Sequence, residues 1–66
     1  MLSSREREVV MAIGRGGSTA EIALVLDISR RTVESHVWHA YRKLGVHSRV
    51  ELLRWLFRHH LLGAEP

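Results

Sequence analysis

The 66 residues carry a formal net charge of +3 and contain no cysteine. That length allows one domain with a small core, and the lack of thiols excludes a disulfide framework and a thiolate metal site. The charge suits an anionic partner without naming it.

No apolar run approaches the ~18 residues of a membrane span. The opening Met1-Leu2-Ser3-Ser4-Arg5-Glu6 is charged almost at once and does not read as a signal peptide. A soluble, cytoplasmic protein is therefore expected. Ser3 and Glu6 then form a Ser-x-x-Glu capping box, in which the hydroxyl accepts from the N3 amide and the carboxylate reaches back to the N-cap amide. The spacing predicts a helix over 4–14 with Val9, Val10 and Ile13 inward, ended by Gly14, Gly16 and Gly17. A second box, Ser18 with Glu21, heads a helix over 19–26 with Ile22, Ala23 and Leu26 inward. Ala23 is small enough to let two helices approach closely. Asp27 follows where the turn needs left-handed backbone, which Asp tolerates better than most residues. Ile28 plugs the corner, and Ser29 caps a third helix over 30–44 that stops at Gly45. A third box, Ser48 with Glu51, starts a helix over 49–59, with His59 and His60 at its end. The expected fold is all-α: a four-helix bundle containing a helix-turn-helix, in which the second helix of the motif can enter the DNA major groove.

The third helix separates into two faces. Val33, Val37, Ala40, Tyr41 and Leu44 form the inward stripe, with Arg31, Glu34, Ser35, Trp38 and Arg42 opposite and Thr32, His39 and Lys43 at the flanks. A basic rim around a Trp and a Ser is what a groove-reading surface needs. Glu34, Ser35, Trp38 and Arg31 are the expected base readers, since a Glu accepts from cytosine N4, a Ser is versatile and a Trp can touch a thymine methyl. Expected phosphate contacts are Ser18, Thr19, Arg30, Thr32, His39, Arg42, Lys43 and Arg49, helped by the amides at the start of the second helix. A plainer reading gives Glu34 an ion pair with Arg30 or Arg31. His36 and His39 are spaced i, i+3, but no further ligand completes a metal site, and neither metal nor cofactor is expected. Catalysis is not expected either: Gly14-Arg15-Gly16-Gly17 lacks the strand and Lys of a P-loop, and there is no nucleophile–base–acid set.

The last helix carries more apolar residues than one side can bury. Leu52, Leu53 and Leu56 are assigned to the core, while Val50, Arg54, Phe57 and Leu61 form a surplus face that predicts a homodimer interface.

Four segments carry a family resemblance. Leu2-Ser3-Ser4-Arg5-Glu6-Arg7-Glu8-Val9-Val10 resembles L-T-x-R-E-x-E-V-L, and Gly17-Ser18-Thr19-Ala20-Glu21-Ile22-Ala23 is similar to G-x-S-N-K-E-I-A. Ile28-Ser29-Arg30-Arg31-Thr32-Val33-Glu34-Ser35-His36 resembles I-S-x-x-T-V-K-x-H, and Arg42-Lys43-Leu44-Gly45-Val46-His47-Ser48-Arg49 matches R-K-L-G-V-x-S-R. These are motifs of the LuxR-type (GerE-like) DNA-binding domain of bacterial transcription regulators. The resemblance implies a four-helix domain with the third helix as recognition helix and dimerisation on DNA through the fourth. It also implies double-stranded DNA as ligand, a receiver or sensor domain on the N-terminal side, and RNA polymerase as a further partner. Glu34 departs from the family, which often has Lys there, and His60 stands where Gly is common. Residues 1–66 are thus expected to be a single domain, the C-terminal part of a larger regulator. The alternative is a small helical protein-interaction module that does not bind DNA.

Overall fold

The computed structural model describes residues 1–59 and 61. Four serines set the helix starts. Ser3, Ser18, Ser29 and Ser48 cap α1 (Ser4–Gly14), α2 (Thr19–Leu26), α3 (Arg30–Leu44) and α4 (Arg49–Arg58), each hydroxyl accepting from the backbone amide three residues on. The boxes at Ser3 and Ser18 close completely. The third box does not: Glu51 instead accepts from the amide of His47 at 2.7 Å. The backbone explains this, because Ser48 has φ −155° whereas Ser3 and Ser18 have −72° and −84°, so the Ser48 amide points elsewhere.

The helix ends share one device. The amides of Gly17, Ile28, Val46 and Leu61 each donate to the carbonyl five residues back, on Ala12, Ala23, Tyr41 and Leu56, at 2.9–3.0 Å. This closure satisfies carbonyls that the helix leaves over and folds the chain back onto the last turn. It needs a left-handed residue, supplied by Gly16 (φ 97°), Asp27 (φ 59°) and Gly45 (φ 74°) in the first three cases. Gly14 is the last residue of α1, as expected, and the left-handed residue follows at Gly16. The fourth helix ends at Arg58, one residue short of expectation, with His59 as its cap. The His60 departure lies outside the described residues.

Helix α3 packs on both α1 and α2, and α4 docks on α1. The core is Val9, Val10, Ile13, Ile22, Ala23, Val33, Ala40, Val46, Leu52 and Leu56, with Leu26, Ile28, Val37, Tyr41, Leu44, Trp55 and Leu61 packed against it. Leu61 thus corrects the surplus face assigned to the last helix. Its amide bonds the Leu56 carbonyl and its side chain packs, partly buried, against the core. Leu24 and Val25 on α2 are more than four-fifths exposed, an outward apolar pair that the helical pattern did not single out. Among the described residues no helix is long and apolar enough to cross a membrane.

Candidate nucleic-acid interface

The interface is built by the turn between α2 and α3. Asp27 takes the left-handed conformation, Ile28 tucks toward the core, and Ser29 caps α3 through the Thr32 amide at 3.0 Å. Val33 and Ala40 then lie fully buried, which fixes the rotation of α3 about its axis. Arg31, Glu34, Ser35, Trp38, His39 and Arg42 stand exposed on the opposite side as a consequence.

Trp38 is 56% exposed and has neighbours on two sides. The Arg42 guanidinium carbon lies 4.9 Å from its ring centroid. The His39 ring meets it edge-on at 5.1 Å and 86°, while His39 Nδ1 donates to the Ser35 carbonyl at 2.8 Å. The ion pairs of the described residues are Arg5–Glu8, Lys43–Glu6 and His47–Glu51. Glu34 is in none of them, so the plainer reading of that residue as the partner of Arg30 or Arg31 is not what the side chains adopt.

Two cations expected at the DNA stay exposed but also bond to partners within the fold. Lys43 Nζ donates to Glu6 Oε1 at 2.8 Å, tying α3 to the start of α1. That bond, with the Ser3 amide, holds the Glu6 carboxyl down at about 2. Arg49 Nη2 donates to the carbonyls of Ile13 and Gly17 at 3.2 and 3.4 Å, pinning the start of α4 to the end of α1. The same arginine opposes the burial that pushes the Tyr41 hydroxyl up. Both cations therefore join α1 to the rest of the fold in place of a purely outward role. The Ser18 hydroxyl is occupied by the Glu21 amide at 3.1 Å, and Thr32 shares its hydroxyl with Ser29 at 2.9 Å. Thr19 is half-buried at the start of α2. Of the cations expected at the DNA, Arg30, Arg31 and Arg42 stand exposed with neither a carboxylate nor a backbone carbonyl partner among the described residues. His36 is half-buried, and no cluster of three or more metal-ligating side chains occurs among the described residues.

Local pattern located the outer face but missed what braces it. The Glu6–Lys43 pair spans 37 positions, and Arg49 reaches back 36 and 32. The Trp38–Arg42 contact did have a signal, an aromatic four residues before an Arg on one face.

Residues 1–56 match the family model of bacterial regulatory proteins of the luxR family. The chain belongs to that family. It is a LuxR-type helix-turn-helix domain of the kind carried by transcription and response regulators, a family of regulators and not of enzymes. It is 42% identical over 57 residues to the uncharacterized response regulatory protein YgeK of Escherichia coli K12, covering 86% of this chain and 39% of YgeK. The response regulator UvrY of the same strain is 38% identical over 64 residues, covering 97% of this chain and 29% of UvrY. The crystal structure of the response regulator ChrA, of a heme-sensing two-component system, superposes with a TM-score of 0.83 at 35% identity, covering 94% of this chain and 31% of ChrA. The LuxR-type chain thus spans less than two-fifths of each of these proteins.

Proposed function

We propose that the chain is the sequence-specific, double-stranded DNA-binding output domain of a cytoplasmic bacterial transcription regulator. The observation that carries this reading is the rotation of α3. Burial of Val33 and Ala40 leaves Arg31, Glu34, Ser35, Trp38 and Arg42 in one exposed row on the second helix of a helix-turn-helix. Mechanistically, α3 enters the major groove. Glu34 and Ser35 address base edges from mid-helix, Arg31 from the first turn, and Trp38 lies on the same row. Arg30 and Arg42 grip phosphates, supported by Thr19, Thr32, His39 and the amides at the start of α2 near Ser18. Lys43 and Arg49 contribute mainly by holding the helices in register, given their partners inside the fold.

A second copy docks through Val50, Arg54 and Phe57 on α4, so that two half-sites are read together. The small share of its relatives that the chain spans supports a larger regulator, with a receiver or sensor domain on the N-terminal side and RNA polymerase as downstream partner. Selection of binding sites from random duplex DNA, followed by anisotropy titration at several salt concentrations, tests this. The expected result is an inverted repeat whose log K falls by about 0.9 per phosphate contact per decade of salt. Failure to enrich any sequence, with salt-independent binding, would falsify the reading in favour of a protein-interaction module.

A further inference from the structure

We infer that Trp38 is a positioning residue for Arg42: its ring holds the guanidinium against the DNA, and the two side chains grip as one unit. The inference rests on the DNA-binding reading and refines it, because it assigns the Trp38 contribution to Arg42 in place of a direct contact with a base.

The geometry sets up a short chain of restraints along the exposed face of α3. The Ser35 carbonyl fixes His39 through Nδ1 at 2.8 Å. The His39 ring braces Trp38 edge-on at 5.1 Å, and Trp38 in turn carries the Arg42 guanidinium at 4.9 Å. An exposed arginine samples many rotamers, and fixing it at a ligand carries an entropy cost. A large ring beneath it removes part of that cost before binding. Indole is the strongest of the aromatic platforms for a cation. The contact draws on the charge of the guanidinium and leaves its N–H donors available for phosphate oxygens or a guanine edge. Lys at position 42 would not serve equally, since its point charge lacks the planar fork. The arrangement also accounts for a large apolar ring left 56% exposed on a polar face.

The test uses the selected duplex and the proteins W38F, W38L, R42A and W38L/R42A. Leu keeps apolar bulk that can touch a thymine methyl but has no π face, whereas Phe keeps a weaker platform. In the free protein, the Arg42 Nε–H resonance should be shifted by the Trp38 ring current, and that shift should vanish in W38L. On DNA, W38L should weaken binding roughly two- to fivefold, and W38F should fall between it and wild type. R42A should lower the salt slope by about 0.9, and W38L/R42A should bind no more weakly than R42A alone. Losses that multiply in the double variant overturn the inference. So does a W38L protein that binds as wild type, or one that weakens while its Arg42 resonance is unchanged. A wild type that binds no duplex removes the DNA-binding reading itself, whereas a wild type that binds, with multiplying losses, removes only the role given to Trp38.

Discussion

Glu6 sits in the capping box of α1, yet its carboxylate also meets Lys43 from the far end of α3 at 2.8 Å. The Lys43 bond and the Ser3 amide together lower its pKa from 4.5 to about 2. A carboxyl with a depressed folded value stabilises the fold above its unfolded value, and that contribution is lost as pH falls through the folded one. The difference in urea midpoint between wild type and Glu6→Gln should therefore be full above pH 4.5 and shrink toward zero as pH approaches about 2. A constant difference across that window would show that the charge on Glu6 plays no part. Glu34 presents the opposite case, an exposed carboxylate on a basic face without an ion-pair partner among the described residues. Under the proposed DNA-binding reading, its cost to general affinity is repulsion from phosphates, and its use is acceptance from a base. Glu34→Lys should raise affinity for unrelated duplexes, steepen the salt slope by up to about 0.9, and narrow the gap between selected and random sites. Comparing anisotropy titrations on both kinds of duplex checks all three. Glu34 was legible as outward-facing from the period of α3 alone. The pairing of Lys43 was not, because helical spacing says where a side chain points on its own helix and nothing of which helix end stands nearby.

The helices themselves were legible almost to the residue, for a local reason: serine caps start all four, and a left-handed residue closes α1, α2 and α3. Both are chemical requirements of a helix terminus, so both leave marks in composition. Three glycines follow the apolar stripe of α1, which ends at Gly14 as expected, and the left-handed turn falls at Gly16. The misreading arose where the mark was ambiguous. Ser48 and Glu51 have capping-box spacing, but the extended φ of Ser48 sends the carboxylate to His47. The end of α3 lets the requirement be tested. Gly45 has φ 74°, and a Cβ built there meets nothing within 4 Å. The penalty of Gly45→Ala is then backbone strain without a steric clash, about 1 to 2 kcal/mol. Denaturant unfolding should show that loss, with an unchanged slope. If Gly45→Ala unfolds at the wild-type midpoint, the left-handed closure does not contribute to stability as argued. The i→i−5 bond from Val46 that follows Gly45 places Val46 in the core and aims the chain into α4, so strain here reaches the orientation of α4.

At the scale of the molecule, 34 × 23 × 20 Å in extent, the proposed function gives the α3 face and the outer face of α4 different work. Leu52 and Leu56 are fully buried against the rest of the fold, which leaves Val50 and Phe57 on α4 more than half exposed, with Arg54 between them. A two-fold pair built on this patch is self-complementary, since the same residues meet from both sides. Two copies joined in this way present two α3 helices to one duplex, and half-sites one helical turn apart need about 34–36 Å between them. The sequence pointed to this face because apolar residues outnumber what one side of α4 can bury. It could not show that Leu61 packs back onto the core, because that depends on a closure beyond the last helical turn. Phe57→Asp separates the pairing from the fold, since the side chain is exposed in the single copy and a carboxylate there disturbs no core contact. Two buried aspartates facing each other across the axis would be strongly unfavourable. Binding to one isolated half-site should therefore be unchanged in Phe57→Asp, while affinity for the full inverted repeat should fall by about tenfold or more, equivalent to about 1.4 kcal/mol. Anisotropy on half-site and full-site duplexes, with sedimentation of the complexes to count copies, distinguishes the outcomes. Wild-type affinity and two bound copies for Phe57→Asp on the full site would move the dimer contact off α4. A parallel loss on the half-site would show instead that Phe57 supports the monomer.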